Sequence, residues 1–173
     1  MIAVFKDVLR EPEVYRTQAL ASTFQSMTFG DSTFHDIGLP PDSSFPVWFA
    51  KHFPDYEPTV TFLRKSPKGQ AEPNFIHNDV DMGDVTAILY LNADPPREDG
   101  TSFWENNGHR LGPLMAGDKG KTGDWQCWRK VEAGFNRAVV FSAPLYHSRS
   151  MRENYGEGDE ARLIQVLFAR GRK

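Results

Sequence analysis

One apolar segment limits what this chain can fold into more than any other feature. The seven residues Val85-Thr-Ala-Ile-Leu-Tyr-Leu91 form a continuous apolar run that is rich in β-branched and aromatic side chains. A run of this length and composition is typical of a strand that is covered on both faces. It predicts a central strand in a sheet with protein packed against each side.

Other segments after Pro58 also have sequence patterns typical of strands. Five further short segments predict strands: 59–64, 74–80, 100–104, 137–142 and 162–168. Segments rich in Pro, Gly, Asp and Asn separate them, which indicates turns at 92–100, 112–123 and 154–159. Many short strands with such turns favour an antiparallel β-sandwich or jelly roll.

The first third of the chain predicts helices. One helix is expected to begin around Glu11 or Pro12 and to run through Val14 to Phe24, because proline suits a first helical turn. A second is expected over Ser44–His52, with Ser44 as its cap. We therefore expect a mainly β fold with N-terminal helices packed on one outer face of the sheets.

The length of 173 residues favours a single domain, 1–173, with a helical flank over 1–57 and a jelly-roll core over 58–173. The single Cys127 excludes an internal disulfide and a multi-cysteine zinc site. The segment 105–134 holds six of the 14 glycines. It predicts either a flexible flap near the mouth of a site or a solvated insertion.

Charge and hydropathy exclude some classes of partner. The net charge is −3 and the pI is about 5.9, so nucleic acid is not expected as a partner of this chain. No segment approaches the ~20 apolar residues that cross a bilayer, so no membrane partner is expected. The apolar start meets charge at Lys6 and Asp7 and is too short for a secretory signal. We therefore expect a cytoplasmic protein.

Three side chains form the strongest candidate for chemistry. In a strand, residues i and i+2 point to the same face, so His77 and Asp79 would project together. His147 follows the strand that ends near Phe141, where the chain would leave the sheet at a barrel rim. Two histidines and one carboxylate are the ligands of the facial triad in non-haem iron(II) oxygenases.

Further motifs lie around these ligands in a fixed order. After His77-x-Asp79 the chain carries Tyr90-Leu-Asn92, Gly100-Thr101, Ala138-Val-Val-Phe141, His147 and Arg162. This order resembles the iron(II)- and 2-oxoglutarate-dependent dioxygenases of the prolyl-4-hydroxylase-like branch, over roughly residues 58–170. The start over 5–12 and the pair Asn136-Arg137 also look like uncharacterised bacterial or phage members.

The resemblance implies a double-stranded β-helix, the cupin-like jelly roll, in which His77, Asp79 and His147 bind Fe(II). It implies that Arg162 pairs with the distal carboxylate of 2-oxoglutarate and that Tyr90 donates a hydrogen bond to it. The implied reaction uses O2 to hydroxylate a small molecule, an amino acid or a peptide side chain, with succinate and CO2 as co-products.

The sequence departs from the family pattern at two places. The connection from His147 to Arg162 is a few residues longer than usual because of the acidic loop 153–160, and Asp99-Gly100 stands where a pair of glycines is usual. Because of the longer connection, Arg149, which shares strand parity with His147, is an alternative anchor or a substrate contact.

Two other functions remain open at this point. One is a cupin-like metalloprotein that does not use 2-oxoglutarate, although cupin sites typically take more histidines and a glutamate. The other is a non-catalytic jelly-roll binding domain, although the presence of all three types of ligand argues against a decayed site.

Overall fold

The computed structural model describes residues 1–29, 32–70, 75–112 and 124–172. Within them it has two α-helices, α1 (Pro12–Leu20) and α2 (Ser44–His52), and one turn of 3-10 helix over Gly158–Glu160. The strands are β1 (Ile2–Phe5), β2 (Phe24–Phe29), β3 (Ser32–Gly38), β4 (Tyr56–Ser66), β5 (Val85–Tyr90), β6 (Gly100–Asn106), β7 (Trp125–Glu132), β8 (Arg137–Ser142), β9 (His147–Arg149) and β10 (Arg162–Gly171). No described helix has the length and apolar character needed to span a membrane.

The strands form two antiparallel sheets. The larger has the order β1-β8-β5-β10-β4-β3-β2, and the smaller has the order β7-β6-β9. The backbones of His77 and His147 exchange two hydrogen bonds, of 3.0 and 2.8 Å, so the chain around His77 extends the smaller sheet beside β9. This is the predicted double-stranded β-helix, a jelly roll of two sheets stacked face to face.

Side chains from both sheets fill the space between them. The buried apolar residues of this interior core are Ile88, Tyr90, Phe103, Val131, Val139, Phe141, Leu145, Ile164, Val166 and Phe168. A second core covers the opposite face of the large sheet, where Phe45 and Phe49 of α2 and Tyr15 and Ala19 of α1 pack on the strands. The helices therefore lie on one outer face, as expected.

Strand β5 confirms the expectation from its apolar run. All six of its residues are buried, with Ile88 and Tyr90 in the interior core and Ala87 and Leu89 under the helices. Alternate residues thus reach opposite faces, and both faces are covered. The strand pairs with β8 on one side and β10 on the other, which places it near the centre of the large sheet.

Both helices form, but two details of the prediction are wrong. Helix α1 ends at Leu20 instead of continuing to Phe24. Helix α2 has the predicted bounds, yet Ser44 is its first residue and not its cap. The carboxylate of Asp42 accepts the Ser44 N–H at 2.6 Å and serves one of the unpaired donors at the helix start.

The helical flank expected over 1–57 also contains strands, because β1, β2 and β3 lie there and β4 begins at Tyr56. Strand β1 pairs with β8 across more than 130 residues of chain, a long-range pairing that local sequence patterns do not reveal. The hairpin of β2 and β3 extends the large sheet beyond β4 through the pairs Ile37–Arg64 and Gly38–Leu63. Their Thr and Phe content suits strands better than helices.

Two predictions after Pro58 need correction or lie partly outside the described residues. The expected strand over 74–80 is wrong over its described part, which has a single bridge at His77. Strand β7, over Trp125–Glu132 in the glycine-rich segment 105–134, was missed by sequence analysis. It pairs with β6. The middle of the expected flap, 113–123, lies outside the described residues.

Candidate metal centre

His77, Asp79 and His147 meet at one end of the interior between the sheets. One ligand atom from each of the three side chains lies within 4.8 Å of the others. The carboxylate of Asp79 is 3.3 Å from Nε2 of His147 and 3.8 Å from Nε2 of His77. The bridge between the two histidine backbones creates this meeting, because it aligns residues that are 70 positions apart.

The two imidazoles are oriented in the same way. Nδ1 of His77 lies 3.1 Å from the carbonyl oxygen of Phe75, and Nδ1 of His147 lies 2.9 Å from that of Leu145. A carbonyl only accepts, so each Nδ1 carries the proton and donates it. Each Nε2 faces Asp79, and in the neutral ring with Nδ1 protonated it carries the lone pair that a metal ligand needs.

The protonation state of His77 favours the same role. The surrounding protein, through desolvation, and then His147 lower the pKa of His77 to about 4. The ring is therefore neutral near pH 7, and a neutral imidazole is the form that binds a metal ion.

Asp79 is held by both its side chain and its backbone. The hydroxyl of Thr86, a buried interior residue of β5, donates to Oδ2 of Asp79 at 2.8 Å. The Asp79 N–H donates to the carbonyl of Ala143 at 2.9 Å.

The turn after Asp79 passes so close to β10 that a Cβ on Gly83 would lie 2.6 Å from the carbonyl oxygen of Ala169. Glycine is required there for the turn to present Asp79 to the histidines.

Access to the centre is uneven. The side chains of His147 and Asp79 are 5% and 10% exposed, whereas that of His77 is 34% exposed. His77 is therefore the most solvent-accessible of the three candidate ligands.

The ligand set fits a divalent transition metal. Imidazole nitrogens suit Fe, Zn, Cu and Ni, and a single carboxylate with two histidines is the set of the facial triad. The outer hydrogen bonds from the imidazoles and to Asp79 are also of the kind that orient metal ligands. The structure brings together all three residues that the sequence proposed as ligands.

Arg162 lies in the interior with a carboxylate beside it. As the first residue of β10 it is in phase with Ile164 and Val166, which belong to the interior core. It is buried, and its Nε donates to Oδ1 of the buried Asp99 at 2.9 Å. The anchor residue expected from the sequence thus takes part in an ion pair.

Tyr90 lies beside this pair. It is opposite Ile164 in the sheet, and its hydroxyl shares a 2.6 Å hydrogen bond with the hydroxyl of Thr101. Burial raises the pKa of Tyr90, so the phenol stays protonated and able to donate.

Arg149, the alternative anchor, is used differently. Its Nε donates to the carbonyl of Met151 at 3.0 Å and its Nη2 to that of Arg152 at 2.6 Å. Its guanidinium also lies 5.6 Å from the ring centre of Phe75. These contacts brace the turn that follows β9.

A further interior arginine, Arg64, was not proposed as a site residue from the sequence. It is opposite Ile164 in β4 and therefore on the interior face. Burial, then the charges of Arg162 and Arg149, lower the pKa of Arg64 to about 10. The charge of Arg64 in turn contributes to the lowered pKa of His77. Its strand parity with Phe62 could have revealed a charged residue at an interior position.

The fold is similar to that of several solved structures. A prolyl hydroxylase from Trichoplax adhaerens, in complex with a peptide fragment of the hypoxia inducible factor oxygen degradation domain, has a TM-score of 0.63 and 11% identity, over 97% of this chain and 82% of that one. HygX from Streptomyces hygroscopicus, with nickel, 2-oxoglutarate and hygromycin B bound, has a TM-score of 0.60 and 15% identity, over 96% and 81%. The epimerase SnoN, in complex with Fe3+, alpha ketoglutarate and nogalamycin RO, has a TM-score of 0.57 and 16% identity, over 97% and 78%.

No protein-family model and no curated protein sequence matches the chain. The similarity is therefore one of fold, and it agrees with the mainly β architecture expected from the sequence.

Proposed function

We propose that this protein is an Fe(II)- and 2-oxoglutarate-dependent dioxygenase. The observation that carries the proposal is the convergence of His77, Asp79 and His147, with both Nε2 atoms facing one carboxylate. Solved structures of the same fold hold iron or nickel together with 2-oxoglutarate, which supports the same cofactors here.

The three ligands would bind Fe(II), and O2 would be the oxidant. When bound, the iron supplies the redox chemistry that amino-acid side chains lack. In a hydroxylation, a substrate C–H, 2-oxoglutarate and O2 give the alcohol, succinate and CO2, so that one oxygen atom enters each of the first two products. The protein's own part is to hold the ligands, exclude water and orient both substrates.

Arg162 is the proposed anchor for the distal carboxylate of 2-oxoglutarate. A guanidinium binds a carboxylate through two parallel N–H groups, and Arg162 is buried in the interior with its charge retained. Two donor nitrogens of Arg149 are engaged by carbonyls of its own turn, so we favour Arg162. Tyr90, protonated and adjacent, would donate a further hydrogen bond to the same carboxylate.

The proposed substrate is a small molecule, an amino acid or a peptide side chain that enters beside His77. Among the solved structures of this fold, one holds a peptide and another holds hygromycin B, so the fold accommodates both classes. Hydroxylation as the outcome, the exclusion of nucleic acid and a cytoplasmic location remain predictions from the sequence.

The proposal is tested by adding Fe(II) and 2-oxoglutarate to the metal-free protein without oxygen. We expect a weak visible charge-transfer band that is absent in His77→Ala. The exposed histidine of β3 provides the matched control, His35→Ala, which should keep the band. If the wild-type protein binds iron but shows no band, the proposal fails.

Turnover and metal binding of the same protein separate the two alternative functions. Metal-dependent turnover that survives without 2-oxoglutarate, and in Arg162→Ala, would favour a cupin-like metalloprotein. A protein that binds no divalent metal at all would favour a non-catalytic jelly-roll domain.

A further inference from the structure

We infer that Asp99 and Tyr155 act as positioning residues that hold Arg162 ready for the distal carboxylate of 2-oxoglutarate. The inference rests on the proposed function. It concerns the two places where the sequence departs from the family pattern, Asp99-Gly100 and the acidic loop 153–160.

Asp99 is a fully engaged buried carboxylate. It is 1% exposed, and its Oδ1 accepts hydrogen bonds from Nε of Arg162 at 2.9 Å and from the Gly100 N–H at 2.7 Å. Its Oδ2 accepts the hydroxyl of Tyr155 at 2.9 Å. A buried carboxylate with three donors on its two oxygens has a single orientation, so the guanidinium that it holds is oriented as well.

The backbone around Asp99 is equally constrained. Gly100 has a φ of +145°, and a Cβ there would lie 2.0 Å from the carbonyl oxygen of Val131. The second residue of the pair must therefore be glycine, whereas the first is free to carry a side chain. In this chain that side chain is the carboxylate that meets Arg162.

Tyr155 reaches Asp99 from the acidic loop. Gly156 has a φ of +68°, and a Cβ on it would lie 2.0 Å from the carbonyl oxygen of Glu160, so the loop folds tightly back on itself. The Arg162 N–H donates to the carbonyl of Tyr155 at 3.3 Å, which ties the loop to the start of β10. Burial and Asp99 raise the pKa of Tyr155, so its hydroxyl remains a donor. The longer connection thus contributes a support for the anchor.

The way Asp99 holds Arg162 suits an incoming carboxylate. Among the described residues, the hydrogen bond to Asp99 is the one side-chain bond that Arg162 donates, and it uses Nε. Within the part of the chain that the structure describes, the two Nη groups donate no such bond, so they can bind a ligand. Asp99 also offsets the repulsion between Arg162 and the neighbouring Arg64 and Arg149, whose pKa values are lowered partly by Arg162.

The test compares two ligands that differ at one end. 2-Oxopentanoate has the keto-acid group of 2-oxoglutarate but lacks the distal carboxylate. Their affinities for the Ni(II)-loaded protein are measured by calorimetry, and the ratio of the two reports only what acts on the distal carboxylate. We expect Asp99→Ala to reduce this ratio about ten- to hundredfold, because the bond that orients the guanidinium is lost. The same change removes a negative charge beside Arg162, which alone would favour the distal carboxylate, so a ratio that rises overturns the inference. Tyr155→Phe should reduce it by a smaller factor, about threefold.

Conservative and remote variants provide the controls. Asp99→Asn keeps an acceptor for Nε and for the Gly100 N–H, so it should restore part of the ratio lost in Asp99→Ala. Asp94→Ala, an exposed change in the same turn, and Tyr56→Phe should leave the ratio unchanged.

The outcomes separate the inference from the proposed function. If the wild-type protein does not prefer 2-oxoglutarate, the proposed function fails. If it does, and Arg162→Ala removes the preference while Asp99→Ala keeps it, the inference is overturned. Equal weakening of both ligands in Asp99→Ala would show a merely structural role and also overturns it. If Asp99→Ala does not fold, Tyr155→Phe decides, because it removes a single hydroxyl.

Discussion

Replacing Thr86 by valine tests whether the hydrogen bond to Asp79 prepares the metal centre. Valine has nearly the same shape as threonine, so the change removes the hydroxyl and leaves the packing of β5 in place. In the wild-type structure this hydroxyl donates to Oδ2 of Asp79 at 2.8 Å, and Thr86 is 1% exposed. No water can easily replace it at so buried a position, and the carboxylate would lose one of its constraints.

The expected loss follows from the type of bond. A hydrogen bond to a charged group contributes about 1.5–3 kcal/mol, which corresponds to roughly a ten- to hundredfold weaker metal affinity. Losses of about this size are also typical when the outer partner of a metal ligand is removed. At a fixed metal concentration well above the dissociation constants, the stabilisation by metal should fall by about 1.4–2.7 kcal/mol. For a chain of this length, the increase in Tm caused by the metal should therefore be roughly 3–10 °C smaller than in the wild type.

The measurement is thermal unfolding with and without Ni(II), together with a chelator competition for affinity. Thr61→Val is the matched control, because Thr61 also donates a hydrogen bond, to the carbonyl of Val166 at 2.9 Å, but lies opposite Leu167 on the helix side of the sheet. It should change the Tm of the metal-free protein without changing the increase caused by metal. If Thr86→Val binds Ni(II) as tightly as wild type while Asp79→Ala does not bind it, the reasoning is refuted.

Three further predictions concern stability and the turn at Asp79. Phe45→Ala should cost about 3–5 kcal/mol in urea unfolding, because Phe45 of α2 is fully buried against the large sheet, whereas Val47→Ala at an exposed site of the same helix should change stability by less than about 0.5 kcal/mol. Gly83→Ala should weaken Ni(II) binding, since its Cβ would displace the Asp79 turn from β10, while Gly134→Ala meets only the flexible side chain of Arg137 and should bind normally. The metal-free protein should lose stability as the pH falls from 6.5 toward about 4, because His77 binds a proton at a higher pH in the unfolded chain than in the folded protein. Urea unfolding measures this loss of stability. The loss should be smaller in His77→Ala than in the control His35→Ala.

The strands were predictable where the local pattern is strong. β5 and β8 were placed almost to the residue because their apolar runs end at clear turns. β1 and β7 were missed for different reasons. The four residues of β1 gain their partner only from β8, far along the chain, and the exposed polar residues of β7 hide its alternation inside a glycine-rich segment.

The candidate ligands were predictable by type and order, but their geometry was not. The i, i+2 rule placed His77 and Asp79 together, although the segment has one bridge and not the strand that the rule assumed. The hydrogen bond from Thr86 to Asp79 and the charge repulsion of Arg64 by Arg162 and Arg149 depend on neighbours in space. No local sequence pattern predicts them.

The two departures from the family pattern show why single positions mislead. In the sequence, the lengthened acidic loop counts against an anchor at Arg162, and the carboxylate in place of a glycine is a separate departure with no link to it. In the structure they are one feature, because Tyr155 of the loop donates to Asp99 across 56 residues of chain and Asp99 holds Arg162. A buried carboxylate is costly alone, and so is a buried guanidinium, but the cost falls when each supplies the other's charge and the remaining oxygen is hydrogen-bonded. Removing the carboxylate would leave the charge of Arg162 buried and unpaired, and removing the loop would leave Oδ2 of the buried Asp99 without its donor, so the two departures make physical sense together.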